Sequence, residues 1–122
     1  MKLCLGTAQF GLDYGITNKS GLVPKSEVGK ILESAKRNGI KILDTAIAYG
    51  SSESVLGQFD ISGFDVITKI PTMQGSKCKI EILVNESMNR LNISAFYGIM
   101  LHNEIDVFEN SNEQPIQNRL SR

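Results

Sequence analysis

Cysteine, tryptophan and proline are scarce in this sequence. Its 122 residues include two cysteines, three prolines and no tryptophan. Cys4 and Cys78 lie far apart, without a Cys-x-x-Cys or Cys/His spacing, which argues against a zinc site or a redox pair. Cys4 falls in an apolar strand pattern and Cys78 in a helical one. We therefore expect both to be small buried apolar residues in a reducing compartment.

Net charge and long apolar runs are also absent. Thirteen basic residues balance thirteen acidic ones, so no net field attracts the chain to nucleic acid or to an anionic membrane. No apolar run approaches the ~20 residues of a membrane span, and the first apolar run breaks at Gly6, too soon for a signal-peptide core. We therefore expect a cytoplasmic protein that binds neither nucleic acid nor a membrane. With 41% hydrophobic and 21% charged residues, the composition is typical of one globular domain.

Strand and helix patterns alternate along the chain. The predicted strands cover residues 2–6, 40–46, 65–69 and 96–102, and the predicted helices cover 26–39, 51–59 and 79–91. Pro24 precedes the first helix and Gly39 ends it. Ser51 or Ser52 is the expected cap of the second helix. The order β-α-β-α-β-α-β with short connections predicts a parallel sheet covered by helices.

Three consecutive predicted strands end in an ionisable residue. These residues are Asp44, Lys69 and His102, and Tyr49 follows the first of them by five positions. Asp44 alone would be an ordinary turn residue and Lys69 alone a solvated strand end. Ligands of parallel α/β sheets, however, bind beyond the carboxyl ends of the strands. Three such ends on one rim of the sheet therefore predict a site.

The four side chains at this rim are suited to proton transfer. A tyrosine side chain has an unperturbed pKa of about 10, so it donates a proton near neutrality only with help. A neighbouring ammonium group stabilises the phenolate, and a carboxylate beside the lysine keeps the ammonium charged and in place. Asp44, Lys69 and Tyr49 supply these groups, and His102 can hold a carbonyl oxygen or share the proton. Reduction of a carbonyl needs such a polarised oxygen and a hydride from a cofactor.

Four stretches of the sequence resemble the aldo-keto reductase family. "LGTAQFG" (5–11) resembles the family's first-strand signature, and "GIKILDTAIAYGSSESVLG" (39–57) resembles its most diagnostic stretch. "VITKI" (66–70) is similar to the segment that carries the family's lysine, and "SMNRLN…YGIMLHN" is similar to the segment that carries its histidine. The resemblance extends to about residue 107.

The resemblance implies a fold, a cofactor and a set of site residues. The family fold is a (β/α)8 barrel that uses NADPH, and the implied substrate is a small carbonyl compound: an aldehyde, a ketone or a keto-sugar. Carried over position by position, the resemblance implies a catalytic tetrad formed by Asp44, Tyr49, Lys69 and His102. It also implies that Gly6, Thr7 and Asp44 bind the cofactor.

The length of the chain departs from the family pattern. A (β/α)8 barrel needs about 250 residues, and this sequence has 122. We therefore predict the first four strands of a TIM barrel over residues 1–107, followed by a poorly ordered polar tail over 108–122. A native ending and a frameshifted reading frame both account for this tail. Two hypotheses stay open: an NADPH-dependent reductase impaired by truncation, and an inactive half-barrel that serves as an interaction module.

Four strands cannot close into a barrel, so two sheet edges and an apolar face would stay open. The residues expected on that face include Leu3, Leu5, Ile42, Val66, Ile99 and Leu101. An apolar surface of this kind is larger than a soluble monomer normally carries. We therefore expect either a homodimer formed through the sheet edges or a poorly soluble chain, and in both cases weak binding of NADPH.

The glycines and a conceivable metal site give weaker predictions. The glycines at positions 6, 11, 15 and 21 fit neither a Gly-x-Gly-x-x-Gly motif nor a P-loop, so they are predicted to be turn residues. Asp13, Glu53 and Glu104 are conceivable metal ligands together with His102. Nothing in their spacing requires a metal, and none is predicted.

Overall fold

The computed structural model describes residues 2–12, 21–71 and 77–102, without the side chains of residues 77 and 78. The elements in chain order are β1 (Cys4–Gly6), a 3-10 helix (Ala8–Phe10), α1 (Lys25–Arg37), β2 (Ile42–Asp44), α2 (Ser52–Leu56), β3 (Asp65–Ile70), α3 (Lys77–Leu91) and β4 (Gly98–Leu101). The strands form one parallel sheet in the order β1-β2-β3-β4. The predicted alternation of strands and helices is thus confirmed. The tail 108–122 and the side chain of Cys78 lie outside the described residues.

The observed strand ends differ from the predicted ones. Strand β2 covers only Ile42–Asp44 of the predicted 40–46, so Asp44 is its last residue. Strand β3 continues one residue past Lys69, and His102 lies one residue beyond β4. The 3-10 helix lies in the glycine-rich segment for which only a loop was expected. It forms because the backbone N–H of Phe10 bonds to the carbonyl of Thr7 at 2.9 Å. Such short turns carry little periodicity and are invisible to pattern analysis.

Helix α1 follows the expected amphipathic pattern. Glu27 lies in its first turn and Lys36 and Arg37 in its last, where each charge opposes the helix dipole. Gly39 follows the helix with φ +76°, the left-handed conformation that glycine adopts at low cost. The side chains that α1 buries are Val28, Leu32 and Ala35. The helix therefore covers the sheet with one apolar face.

All three helices pack against one face of the sheet. Each connection leads to the next strand in the same direction, and the usual right-handed crossover then places every helix on the same side. The core between the layers is formed by buried side chains from all these elements: Phe10, Val28, Leu32, Ala35, Leu43, Leu56, Ile61, Phe64, Val66 and Leu91. We call this side of the sheet the helix face and the other side the open face.

Alternation along the strands corrects the expected placement of several apolar residues. Leu5, Val66, Ile99 and Leu101 were expected in the barrel interior. Val66 instead belongs to the core beneath the helices and Leu5 packs against that core, while Ile99 and Leu101 pair with Thr68 and Ile70, which share the parity of Val66. Residues of the opposite parity lie on the open face, where Ile67 is half-buried and Met100 is exposed. Cys4 was expected to be buried and is exposed, because it shares this parity on the outermost strand of the described sheet.

Helix α3 presents the expected inward stripe and ends at an asparagine. Leu91 is fully buried, and Leu83, Val84 and Met88 are half-buried. Asn92 follows with φ 57°, a conformation that asparagine tolerates at a helix end. No helix in the described part of the chain is both long enough and apolar enough to cross a membrane.

Candidate active site

Asp44 and Lys69 meet on the open face at the carboxyl ends of neighbouring strands. The Lys69 ammonium donates a hydrogen bond to the Asp44 carboxylate and forms an ion pair with it. It also donates to the carbonyl of Thr45 at 3.2 Å and to the hydroxyl oxygen of Tyr49 at 3.3 Å. The Lys69 side chain is 16% exposed, so bulk solvent reaches little of it.

Tyr49 reaches Lys69 because the loop between β2 and α2 runs along the end of β3. The backbone N–H groups of Thr45 and Ile47 bond to the carbonyls of Ile67 and Lys69, at 2.9 and 3.2 Å. These bonds prolong the β2–β3 ladder beyond the last strand residue of β2. As a result the phenol ring of Tyr49 lies over the Lys69 ammonium, 5.1 Å from Nζ to the ring centroid.

His102 completes the group at the end of the fourth strand. Its backbone N–H bonds to the carbonyl of Ile70 at 2.9 Å, which carries the β3–β4 ladder one residue beyond β4. The imidazole meets the Tyr49 ring edge-on, with 5.8 Å between centroids and 86° between planes. The structure thus brings all four predicted site residues to one rim. Their catalytic roles stay predictions.

Gly6 and Thr7 lie on opposite sides of this rim. Gly6 is exposed on the open face opposite Asp44, and a Cβ built on it would meet no atom within 4 Å. Thr7 is fully buried, and both its hydroxyl and its backbone N–H donate to the Asp44 carbonyl at 3.0 Å. The Thr7 side chain therefore positions the backbone of Asp44, whereas Gly6 leaves open space beside the carboxylate.

Two buried polar residues of α2 were not recognised as part of the site from the sequence. Ser51 precedes the helix but forms no capping hydrogen bond through its side chain. Ser52 and Glu53 are 0% and 2% exposed and lie directly beneath the rim. In the sequence, the Ser-Glu pair lies within the stretch 39–57 that resembles the family, but a capping role explained Ser52, and Glu53 was considered only as a first-turn residue or a conceivable metal ligand.

No group of three or more potential metal-binding side chains occurs within residues 2–12, 21–71 and 77–102. Asp13 and Glu104, named above as conceivable ligands, lie outside these ranges. A cavity of about 890 Å³ lies between residues 57–66 and 88–95 and contains none of the four site residues. It adjoins the amino-terminal end of β3, away from the strand ends where parallel α/β sheets bind ligands. The tetrad rim is therefore the better candidate for chemistry.

The arrangement at the rim is suited to proton donation. A carboxylate holds an ammonium group in place, the ammonium faces a phenol oxygen, and an imidazole borders the phenol ring. Positive charge beside a phenol stabilises negative charge on its oxygen when the proton leaves. An acceptor oxygen placed above Tyr49 and His102 would receive that proton on the open face.

Comparison with known proteins gives one family. A model of the aldo/keto reductase family matches residues 2–107. A solved structure from Pseudomonas aeruginosa, assigned to the aldo-keto reductases, is 29% identical with a TM-score of 0.75, covering 98% of this chain and 50% of its own.

More distant structures share the fold. An aldo-keto reductase from Klebsiella pneumoniae, in complex with NADPH, is 19% identical with a TM-score of 0.62, over 80% of this chain and 34% of its own. One from Bombyx mori, in complex with NADP, is 20% identical with a TM-score of 0.62, over 81% and 33%. The comparison with curated proteins gives no match. The chain thus spans from about a third to half of the length of these structures, and its sheet corresponds to the first half of their barrel.

Proposed function

The chain belongs to the aldo/keto reductase family, and from this premise we propose that it contributes to the NADPH-dependent reduction of a small aldehyde, ketone or keto-sugar. The observation that carries the proposal is the contact of the Lys69 ammonium with both the Asp44 carboxylate and the Tyr49 hydroxyl. The proposal covers the chemistry of this half of the fold. The cytoplasm, which supplies NADPH, is the compartment that we propose.

Each residue of the tetrad has a separate task in this proposal. Tyr49 donates its proton to the carbonyl oxygen of the substrate as the carbonyl carbon is reduced. Lys69 stabilises the negative charge that then remains on the phenol oxygen, and Asp44 keeps the ammonium in position. His102, next to the Tyr49 ring, directs the carbonyl oxygen towards the hydroxyl. A proton from water restores the phenol.

The residues present fit the nicotinamide end of NADPH. The open space over Gly6 lies beside Asp44, so Gly6 and Asp44 are the residues that would border the nicotinamide. When bound, NADPH supplies the hydride. The Klebsiella pneumoniae and Bombyx mori proteins are described in complex with NADPH and NADP, which supports this choice of cofactor for the present chain.

The proposal is tested by removing the proton donor. Tyr49→Phe should lower NADPH-dependent carbonyl reduction by about 10²–10⁴-fold, because only the hydroxyl is lost. Lys69→Met should be almost as severe. Tyr97→Phe is the matched control, because Tyr97 is 52% exposed and precedes β4 at the opposite end of that strand. Reduction that survives Tyr49→Phe unchanged would show that the tetrad is not used.

We also propose that two copies of the chain associate through the open face and edges of the sheet. Strands β1 and β4 are the two edges of the described sheet, and an unpaired strand edge is a template for pairing with another chain. The open face offers Ile67 and the exposed Met100 to such a partner. A second copy supplies four strands of matching length and parity.

A further inference from the structure

Ser52 and Glu53 are buried polar residues whose side chains contact Thr45 and Thr68, the neighbours of Asp44 and Lys69. Both belong to α2, and the backbone N–H of Ser52 bonds to the carbonyl of Tyr49 at 3.0 Å. Buried hydroxyls and carboxylates are costly unless their hydrogen bonds are made. The positions of their partners therefore show what these two residues hold together.

The Ser52 hydroxyl links the ends of β1 and β2. Its oxygen lies 3.0 Å from both the carbonyl and the hydroxyl oxygen of Thr7, and 3.1 Å from the hydroxyl of Thr45. The Thr7 hydroxyl in turn donates to the carbonyl of Asp44 at 3.0 Å. Because a hydroxyl has one proton, the consistent arrangement is a relay: Thr45 donates to Ser52, and Ser52 donates to Thr7. Ser52, the first residue of α2, is thus connected to Thr45 directly and to the Asp44 carbonyl through Thr7.

The Glu53 carboxylate links α2 to β3 and α3. It accepts hydrogen bonds from the Thr68 hydroxyl at 3.1 Å, from the Ser87 hydroxyl, and from Nε of Arg90 at 2.9 Å. Arg90 Nη2 lies 2.8 Å from the same carboxylate, at ion-pair distance but without a hydrogen bond of its own among the described residues. Thr68 is the immediate neighbour of Lys69, whose side chain points to the open face.

The two residues therefore act from the helix face on groups that react on the open face. Alternation along a strand places Thr45 and Thr68 beneath the sheet and Asp44 and Lys69 above it. Apolar side chains at these positions would fill the same space but would not fix the rotation of the strand ends. We propose that Ser52 and Glu53 are positioning residues that hold Tyr49 against Lys69. This inference deepens the proposed function and rests on it for its catalytic meaning.

NMR spectroscopy of the full chain follows the position of the Tyr49 ring. The tyrosine rings are isotopically labelled, and the signals of Tyr49 are identified as those that disappear in Tyr49→Phe. The edge-on contact with His102 should give cross-relaxation between the two rings in the wild-type chain. Ser52→Ala and Glu53→Gln should lose most of this signal while staying folded. Ser54→Ala and Glu33→Gln, at exposed positions, are the matched controls and should retain it.

A second control separates positioning from general stability. Leu32→Ala opens a cavity in the core but changes no polar contact, so it should lower stability and retain the ring contact. The inference is overturned if folded Ser52→Ala and Glu53→Gln keep the wild-type signal, or if Leu32→Ala loses it equally. Should Ser52→Ala fail to fold, Thr45→Val, which removes the other end of the same hydrogen bond, decides between these outcomes.

Kinetics provide a catalytic readout. Because a misplacement of about 1 Å can lower a rate by about 10²-fold, Ser52→Ala should lower kcat by about tenfold or more with little change in the Kd for NADPH. An unchanged kcat with an altered Kd overturns the inference. A wild-type chain that binds no NADPH and reduces no carbonyl overturns the proposed function instead, and the ring contact then still decides whether these residues position Tyr49.

Discussion

Lys69 shows how one side chain organises the predicted site. An ammonium group has three protons to donate, and in this structure the three acceptors are the Asp44 carboxylate, the Thr45 carbonyl and the Tyr49 hydroxyl oxygen. All three belong to the end of β2 or to the loop between β2 and α2. The Lys69 ammonium therefore connects the strand end to this loop, and the loop holds the phenol ring in place.

Gly11 provides a prediction at the scale of a residue. It lies against the Tyr49 loop, and a Cβ on it would come within 1.9 Å of the Tyr49 carbonyl oxygen and 2.2 Å of the Ser52 nitrogen. Gly11→Ala should therefore lower the free energy of unfolding by about 1–3 kcal/mol, as overpacking does. Urea denaturation measures the change.

Gly63→Ala is the control for that experiment. A Cβ on Gly63 would meet only the flexible end of Lys36, at 3.9 Å, so the free energy of unfolding should stay within about 0.5 kcal/mol of the wild-type value. Equal stability of the Gly11→Ala and Gly63→Ala chains would show that the two loops are not packed as closely as described.

Helix α2 is an element whose stability comes entirely from its surroundings. Its five residues are too few for a stable isolated helix in water. Three of them, Ser52, Glu53 and Leu56, are buried. The helix thus exists because it is anchored below the sheet, which suits an element that has to keep the preceding loop in place.

The two faces of the sheet give a prediction at the scale of the element. Leu43 is fully buried on the helix face, whereas Met100 is 36% exposed on the open face. Leu43→Ala should lower the free energy of unfolding by about 2–5 kcal/mol, because it leaves a cavity in the core. Met100→Ala should cost far less. Thermal or urea unfolding checks both, and a larger loss for Met100→Ala would reverse our assignment of the two faces.

At the scale of the whole molecule, the described residues expose surfaces that a closed barrel would bury. Strands β1 and β4 pair on one side only within the described sheet, and parallel sheets are normally covered on both faces. Unpaired strand edges are templates for another chain. An assembly of two chains would cover both kinds of surface at once.

We therefore predict that the average mass measured by light scattering rises with the concentration of the chain. Met100→Lys, on the open face, should shift this association to higher concentration, because it places a charge in the proposed interface. Ile82→Lys, at a 54% exposed position of α3, is the control on the helix layer and should leave association unchanged.

Titration with NADPH on the same samples tests the second half of this prediction. Only the nicotinamide end of the cofactor has candidate partners among the described residues, so we expect binding weaker than micromolar. A stable monomer at every concentration that binds NADPH at micromolar levels would contradict both expectations. Four strands would then suffice for the cofactor site.

The sequence by itself determined the order of elements and which ionisable residues lie near the carboxyl ends of the strands. Continuous apolar runs predicted a parallel sheet, and the residues at their ends, Asp44, Lys69 and His102, were identifiable because burial on both faces leaves a charged side chain only where a strand stops. Gly39 marked the end of α1 for an equally local reason. These features depend on a few neighbouring residues, and pattern analysis finds them.

Only the tertiary structure decided which face each strand residue occupies and what lies beneath the rim. A continuous apolar run has no visible alternation, so Val66 and Leu5 were expected on the wrong face and Cys4 in the wrong environment. The roles of Ser52 and Glu53 depend on partners 34 to 45 residues away, such as Ser87 and Thr7. No local pattern records such contacts, because they exist only once the strands and helices have packed.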